Sequence, residues 1–172
     1  MKRAMLVVLA AALSTPAAWA DDAGRALVLA RLGGMETGPT PADFKDVPGA
    51  AAELLAIAHD AGVPQSRRGN AIVALGWFPV DVHRFFLEAL LADPMAESYL
   101  RRKAAFGLAN GWRDAALPAL VGALGSPDVQ LRNTTINAIA SVGSASAHGA
   151  LRKHLASETD ASVRDTLAHA LK

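Results

Sequence analysis

Apolar residues recur along the chain with the spacing of α-helices, and one pattern returns four times. The copies are marked by Arg68, Arg101, Arg132 and Arg164, which are 33, 31 and 32 residues apart. With each arginine as position zero, positions +4 and +7 are aliphatic and position +6 is always alanine or glycine. Such spacing marks one face of a helix, and small residues at +6 let a neighbouring helix approach closely. The sequence therefore predicts four equivalent helices at a period typical of repeat proteins.

A second apolar helix is predicted before each of these four. The predicted segments are 49–61, 81–92, 114–124 and 146–156. Ser126 followed by Pro127 is a typical start signal, an N-cap residue with proline at the first helical position. Asp93-Pro94 repeats that pattern, and Thr159-Asp160 offers a cap without proline. Each repeat is thus predicted to be a pair of helices joined by a short turn.

The third and fourth copies resemble HEAT repeats of the short type first noted in phycobilisome lyases. The residues that carry the resemblance are 117–120 (Leu-Pro-Ala-Leu), 126–132 (Ser-Pro-Asp-Val-Gln-Leu-Arg) and 160–164 (Asp-Ala-Ser-Val-Arg). The resemblance covers residues 48–172, although the first two copies have turns two residues longer and Arg67 where an apolar residue is usual. It implies an all-α, right-handed α-solenoid of about four helix pairs, whose second helices line the concave side. It implies no lyase activity, because unrelated functions share this scaffold.

Two further segments precede the repeat domain. Residues 1–20 have the form of a secretory signal peptide, with Lys2 and Arg3, an apolar run over 4–13 and Ala18-Trp19-Ala20 as a cleavage site. Residues 21–47 are predicted to form a capping helix over 23–32, started by Asp21 and Asp22, and an irregular loop. That loop, 33–47, is either a spacer or a functional segment.

Charge and cysteine content narrow the class of protein. Removing residues 1–20 leaves 15 Lys and Arg against 16 Asp and Glu, a net charge of −1. Such a chain is a poor candidate for nucleic-acid binding, which depends on neutralising phosphates. The chain has no cysteine, which excludes disulfides, cysteine nucleophiles and thiolate metal sites. No later apolar run has the length of a transmembrane helix. We expect a protein secreted across the inner membrane into the periplasm.

No catalytic or cofactor motif stands out in the sequence. There is no His-Glu-x-x-His signature, no phosphate-binding glycine loop and no nucleophile elbow around Ser141, Ser144 and Ser146. We interpret the five histidines as surface or turn residues and expect no cofactor and no enzyme activity. The alternative is a metal-binding protein or enzyme accessory factor of the cell envelope that uses histidines. Its candidate ligands are His148, His154 and His169.

The arginine column suggests a ladder of turn contacts. Arg132 is placed to bond the carbonyls of its own turn together with Asp128, and Arg164 could meet Asp160 likewise, since arginine suits bidentate pairing with carboxylates. The alternative is an anion-binding stripe. The predicted ladder consists of Arg68, Arg101, Asp128, Arg132, Asp160 and Arg164.

Positions +1, +2 and +5 of the second helices point away from the apolar face. Phe106 beside Arg102 and Lys103 resembles the composition of protein-contact surfaces, although Phe106 could instead pack on a neighbouring helix. Trp77 and Trp112 are expected to wedge between units, or to act as an anchor pair. The predicted partner-binding residues are Asn70, Arg102, Lys103, Phe106, Asn133, Asn137 and His169. The sequence thus favours a non-catalytic scaffold that binds a protein or peptide in the cell envelope. A third possibility is a structural subunit of an envelope assembly.

Overall fold

The computed structural model describes residues 17–33 and 39–172, and over these ranges the chain is helical and contains no strand. The α-helices are α1 (Ala17–Arg31), α2 (Ala50–His59), α3 (Gln65–Ala74), α4 (Asp81–Ala92), α5 (Ser98–Trp112), α6 (Leu117–Ala123), α7 (Val129–Val142), α8 (Ala145–Leu155) and α9 (Ala161–Ala170). Short 3-10 helices span Pro41–Phe44, Leu75–Trp77 and Arg113–Ala116. Of the helices described, none is long and apolar enough to cross a membrane. Most of the predicted signal peptide, residues 1–16, lies outside the described ranges.

The helices form the predicted pairs. Helices α2 to α9 give four consecutive units, and the second helix of each unit carries one arginine of the column. Successive second helices pack on one another, α3 on α5, α5 on α7 and α7 on α9, and each also packs on the first helix of its own unit. This arrangement confirms the all-α solenoid predicted from the repeat.

The apolar stripe of the second helices forms a continuous core. Ile72, Ala105 and Ile136, at position +4 of the first three units, are fully buried, as are the aliphatic residues at +7 of these units. In the last unit Ala168 is exposed and Leu171 only half-buried. One unit therefore covers the apolar face of the previous one, as expected for stacked repeats.

Glycines bring the first two units into backbone contact. A Cβ added to Gly76 would lie 2.4 Å from the carbonyl oxygen of Gly107, and one on Gly111 would lie 2.7 Å from that of Gly76. A Cβ on Gly107 would lie 2.8 Å from the carbonyl oxygen of Ile72. Any side chain at these positions would force α3 and α5 apart. Gly107, the small residue at position +6 of the second copy, thus allows the close approach of helices that was expected for this position.

The N-terminal segment differs from its prediction in two respects. Helix α1 begins at Ala17 rather than Ala23, because the alanine-rich residues before Asp21 favour helix formation. Part of the predicted irregular loop is ordered: Asp43 accepts hydrogen bonds from the N–H and hydroxyl of Thr40 at 2.6 and 2.8 Å, which starts the first 3-10 helix. Phe44 is buried at its end, with its ring centroid 5.9 Å from that of Trp77.

Two predicted helix starts were wrong and one is confirmed. The N-cap of α7 is Asp128 rather than Ser126, because the Asp128 carboxylate accepts from the N–H groups of Gln130 and Leu131 at 2.9 and 3.1 Å. Helix α5 begins at Ser98, and Asp93 instead accepts from a backbone N–H within the turn. Asp160 caps α9 as predicted.

Candidate functional site

Every arginine of the column binds backbone carbonyls at the end of the preceding helix or in the following turn. The hydrogen bonds are Arg68 Nε to Ala58 O (3.4 Å), Arg101 Nε to Leu91 O (3.1 Å), Arg132 Nη1 to Ser126 O (2.8 Å), and Arg164 Nη1 to Leu155 O (3.3 Å) and Glu158 O (3.1 Å). The last carbonyls of a helix have no partner within it, so these side chains satisfy groups that would otherwise depend on water. The four arginines therefore occupy equivalent positions and make the same kind of backbone contact.

The carboxylate partners of the ladder are not those predicted. Arg132 pairs with Glu158 of the next unit at 3.0 Å, and Arg68 pairs with Glu97 of its next unit at 3.1 Å. Asp128 and Asp160 are occupied as helix caps and form no salt bridge with the arginines of their turns. A hydrogen bond from the Ser98 hydroxyl is the largest cause lowering the pKa of Asp128, followed among the lowering causes by its capping N–H groups. The ladder therefore connects units at Arg68 and Arg132, in addition to the carbonyl contacts that each arginine makes within its own unit.

Glu158 is the most heavily bonded carboxylate of the ladder. Its side chain is 6% exposed and accepts from Arg132 Nε at 3.0 Å and His154 Nε2 at 3.1 Å. It also accepts from the N–H groups of Thr159 and Asp160, both at 2.9 Å. The Asp160 N–H first, and then Arg132, lower the pKa of Glu158 to about 2 against the opposing effect of burial. The group thus stays ionised throughout the physiological range.

Three predicted partner-binding residues line one pocket on the face of the second helices. This pocket, which we call the α5 groove, has a volume of about 210 Å³ and is lined by Tyr99, Arg102, Lys103, Phe106 and Thr134. Lys103 Nζ lies 5.3 Å and Arg102 Cζ 6.0 Å from the centroid of the Tyr99 ring, distances typical of cation–π contacts.

Tyr99 and Thr134 were missed in the sequence. Tyr99 lies outside positions +1, +2 and +5, but it is three and four residues before Arg102 and Lys103, the spacing at which side chains meet on a helix surface. Below it, a Cβ on Gly69 would lie 2.5 Å from the Tyr99 ring. The absence of a side chain at Gly69 therefore allows Tyr99 to lie on α3 at the end of the groove.

The other predicted partner residues are not in the groove. Asn70 donates to the carbonyl of Leu32 at 3.0 Å and connects α3 to the end of α1. Asn133 donates to the Ser162 hydroxyl at 3.3 Å and connects α7 to α9. Asn137 and His169 are exposed, and His169 lies on the last helix. The structure thus concentrates the predicted surface on α5.

The histidines have individual environments and do not converge. His83 is only 4% exposed, with Nδ1 2.7 Å from the carbonyl oxygen of Phe78, so its interpretation as a surface or turn residue was wrong. It occupies a buried position of the apolar face of α4, where one backbone acceptor suffices. His148 bonds the Ser144 carbonyl at 2.9 Å, and His154 bonds Glu158. Among the described residues, no three His, Asp or Glu side chains are grouped to hold a metal ion.

Trp77 and Trp112 pack against the core as partly buried side chains. An apolar surface that the sequence did not suggest lies on α4, where Val82 and Phe85 are 57% and 65% exposed. It belongs to the layer of first helices, whereas the α5 groove belongs to the second helices.

Stacked helix pairs joined by an inter-unit ladder define the protein as an α-solenoid. A family model for HEAT repeats matches residues 83–172, just over half of the chain. The chain belongs to the HEAT-repeat family. No curated protein sequence matches it. The protein is thus a helical-repeat scaffold of a kind that serves protein interactions, in a family that is generally non-catalytic.

Proposed function

We propose that the protein is an exported, non-catalytic scaffold that binds a protein or peptide partner of the cell envelope in the α5 groove. The observation that carries this proposal is the groove itself, in which two aromatic rings, a guanidinium and an ammonium group surround one concave site. Aromatic residues and arginine dominate the binding energy of many protein interfaces.

The charge of the groove indicates what kind of segment it binds. Arg102 donates to Ser98 Oγ at 3.0 Å and lies near the Asp128 carboxylate, so its charge is partly compensated. Lys103 forms no salt bridge among the described residues, and its ammonium group contacts Tyr99. The groove therefore carries positive charge beside the Phe106 ring, which suits a segment with an acidic and an apolar side chain.

The layering of the helices supports a concave location for this groove. Contacts between successive second helices are more extensive than contacts between successive first helices. In a curved stack, the layer with the closer contacts forms the inner side. A partner bound in the groove would contact two units, because Thr134 belongs to α7 and the other lining residues to α5.

The proposed export depends on the sequence of residues 1–20. Cleavage after Ala20 would shorten α1 so that it begins at Asp21. Acidic residues would then occupy its first turn, where their negative charge interacts favourably with the helix dipole. Mass spectrometry of the protein from the periplasmic fraction tests this step. A mature chain that begins at Asp21 is expected, and an uncleaved chain in the cytoplasm would contradict export.

Site-specific crosslinking tests the binding surface. A photoreactive amino acid at Asn137, an exposed position on the same face, is expected to capture a defined partner in intact cells. Phe106→Ala or Lys103→Glu should abolish the crosslinked band, whereas Phe85→Ala, which removes an exposed ring from the other layer, should leave it unchanged. A band lost in Phe85→Ala and retained in both groove variants would refute the proposal.

A further inference from the structure

The ladder of salt bridges between units has a gap at Arg101. Arg68 and Arg132 each pair with a glutamate of the next unit. Arg101 lies at the equivalent place, but its only side-chain hydrogen bond within the described residues runs from Nε to the Leu91 carbonyl at 3.1 Å. Both terminal nitrogens of its guanidinium group are left for another acceptor.

The gap arises because a serine replaces the glutamate. Ser126 and Glu158 both lie two residues before the N-cap aspartate of the following helix. Their carbonyls accept from Arg132 and Arg164 at 2.8 and 3.1 Å. Their side-chain oxygens accept from the N–H of the N-cap residue at 3.2 and 2.9 Å. The two positions are therefore equivalent, and Ser126 lacks the carboxylate that Glu158 offers to the arginine of the preceding unit.

A pocket lies where that carboxylate is missing. It has a volume of about 380 Å³, and Arg101 and Ser126 line it together with Leu91, Ala119, Ala123 and Glu88. Its size is at the lower end of the range for small-molecule sites. Glu88 is paired with Arg84 at 2.8 Å, so its charge is compensated. Arg101 is thus the cation of this pocket that has no carboxylate partner.

We propose that this pocket binds a carboxylate, which takes the place on Arg101 that Glu158 takes on Arg132. A guanidinium group presents paired donors that match a carboxylate bidentately. The aliphatic part of the ligand would lie against Leu91, Ala119 and Ala123, so the ligand is a carboxylate with a short aliphatic chain. It is either a free organic acid or the C-terminus of a peptide. The pocket lies among α4, α5 and α6 and shares no lining residue with the α5 groove, so this site and the proposed partner surface can be tested separately.

Calorimetric titration of the full chain tests the proposal. The probes are butyrate and the peptide acetyl-Ala-Leu-Ala with a free C-terminus, and butyramide and the amidated peptide are their neutral controls. We expect at least one carboxylate to bind with a dissociation constant near or below 1 mM and its amide to bind at least about ten-fold more weakly. Tighter binding of butyrate identifies a free acid as ligand, and tighter binding of the peptide identifies a C-terminus.

Two variants assign the binding to Arg101. Arg101→Gln should weaken binding at least about ten-fold, while Arg152→Gln, at an exposed position on α8, should not change it. Because Arg101→Gln also alters a turn contact, its circular dichroism is compared with that of the wild type. Ser126→Glu keeps Arg101 and supplies an internal carboxylate, so it should abolish binding and raise the melting temperature. Absence of binding to the wild type, or unchanged binding in Arg101→Gln or Ser126→Glu, would overturn the proposal.

Discussion

Replacing Glu158 with glutamine tests whether the inter-unit ladder holds the solenoid together. The substitution keeps the shape of the side chain and removes its charge. It leaves the Arg132 guanidinium, whose side chain is 12% exposed, without its carboxylate. Removing one partner of a buried ion pair is strongly destabilising, because the remaining charge is left uncompensated.

The magnitude follows from the pKa of Glu158, which is lowered from 4.5 to about 2. At about 1.4 kcal/mol for each pKa unit, the folded state favours the ionised form by about 3 kcal/mol. Since the folded pKa is lowered, this stability is fully present above pH 4.5 and is lost as the pH falls towards 2. We therefore expect Glu158→Gln to reduce the free energy of unfolding by up to about 3 kcal/mol at pH 7, a figure that includes the Asp160 N–H bond as well as the Arg132 pair, and by progressively less below pH 4.5.

Urea denaturation, monitored by circular dichroism at pH values between 7 and 3, measures the loss of unfolding free energy and its dependence on pH. Glu97→Gln is the matched control, because Glu97 pairs with Arg68 but its side chain is 49% exposed. An exposed pair contributes at most about 1 kcal/mol. A loss below about 1 kcal/mol for Glu158→Gln, or a loss that is independent of pH, would refute the reasoning about the ladder.

Three further substitutions, one of them with a control variant, test packing and capping. Gly76→Ala should destabilise the protein by about 2 kcal/mol or more in thermal melts, because the new Cβ meets the Gly107 carbonyl. Gly149→Ala, at an open position in α8, should stabilise it by up to about 1 kcal/mol, and equal effects would contradict the close contact. Asp128→Ala should cost about 1–2 kcal/mol in urea denaturation, since two N–H groups of α7 lose their acceptor; a neutral result would show that water replaces the cap. Phe44→Ala should cost about 3–5 kcal/mol in urea denaturation, because the Phe44 ring is buried in the core, and a loss under about 1 kcal/mol would show that residues 39–47 are a loose spacer.

The helix pairs were predictable because stacking imposes a period on the apolar residues. Arg68, Arg101, Arg132 and Arg164 marked equivalent places because each second helix buries the same face. Helix starts were less predictable, since Ser126, Pro127 and Asp128 can all begin a helix, and only the geometry of the turn selects Asp128.

The ladder partners could not be found from local spacing. Arg132 and Glu158 are 26 residues apart, and their pairing depends on how one unit is placed on the next. The nearer carboxylates, Asp128 and Asp160, were plausible partners until the structure showed both of them capping helices.

The residues that one helix contributes to the α5 groove were predictable, but the contact between two helices that completes it was not. Helical geometry alone placed Arg102, Lys103 and Phe106 on one face of α5, which the structure shows to be partly exposed. Tyr99 lies beside them because Gly69 of α3 leaves room for its ring. This contact is between two helices, so the pattern of one helix cannot reveal it.

We expect the glycine contacts between the first two units to make the elasticity of the solenoid uneven. Where the backbone at Gly76 touches that at Gly107 and Gly111, α3 and α5 have almost no room to slide. No described glycine brings the backbones of α5 and α7 into such contact, so we expect bending of the rod to concentrate there and towards the C-terminal units. The α5 groove spans that softer joint, since Thr134 belongs to α7 and the other lining residues to α5. Flexing of the rod would thus widen or narrow the groove, and a partner held in it would stiffen the molecule.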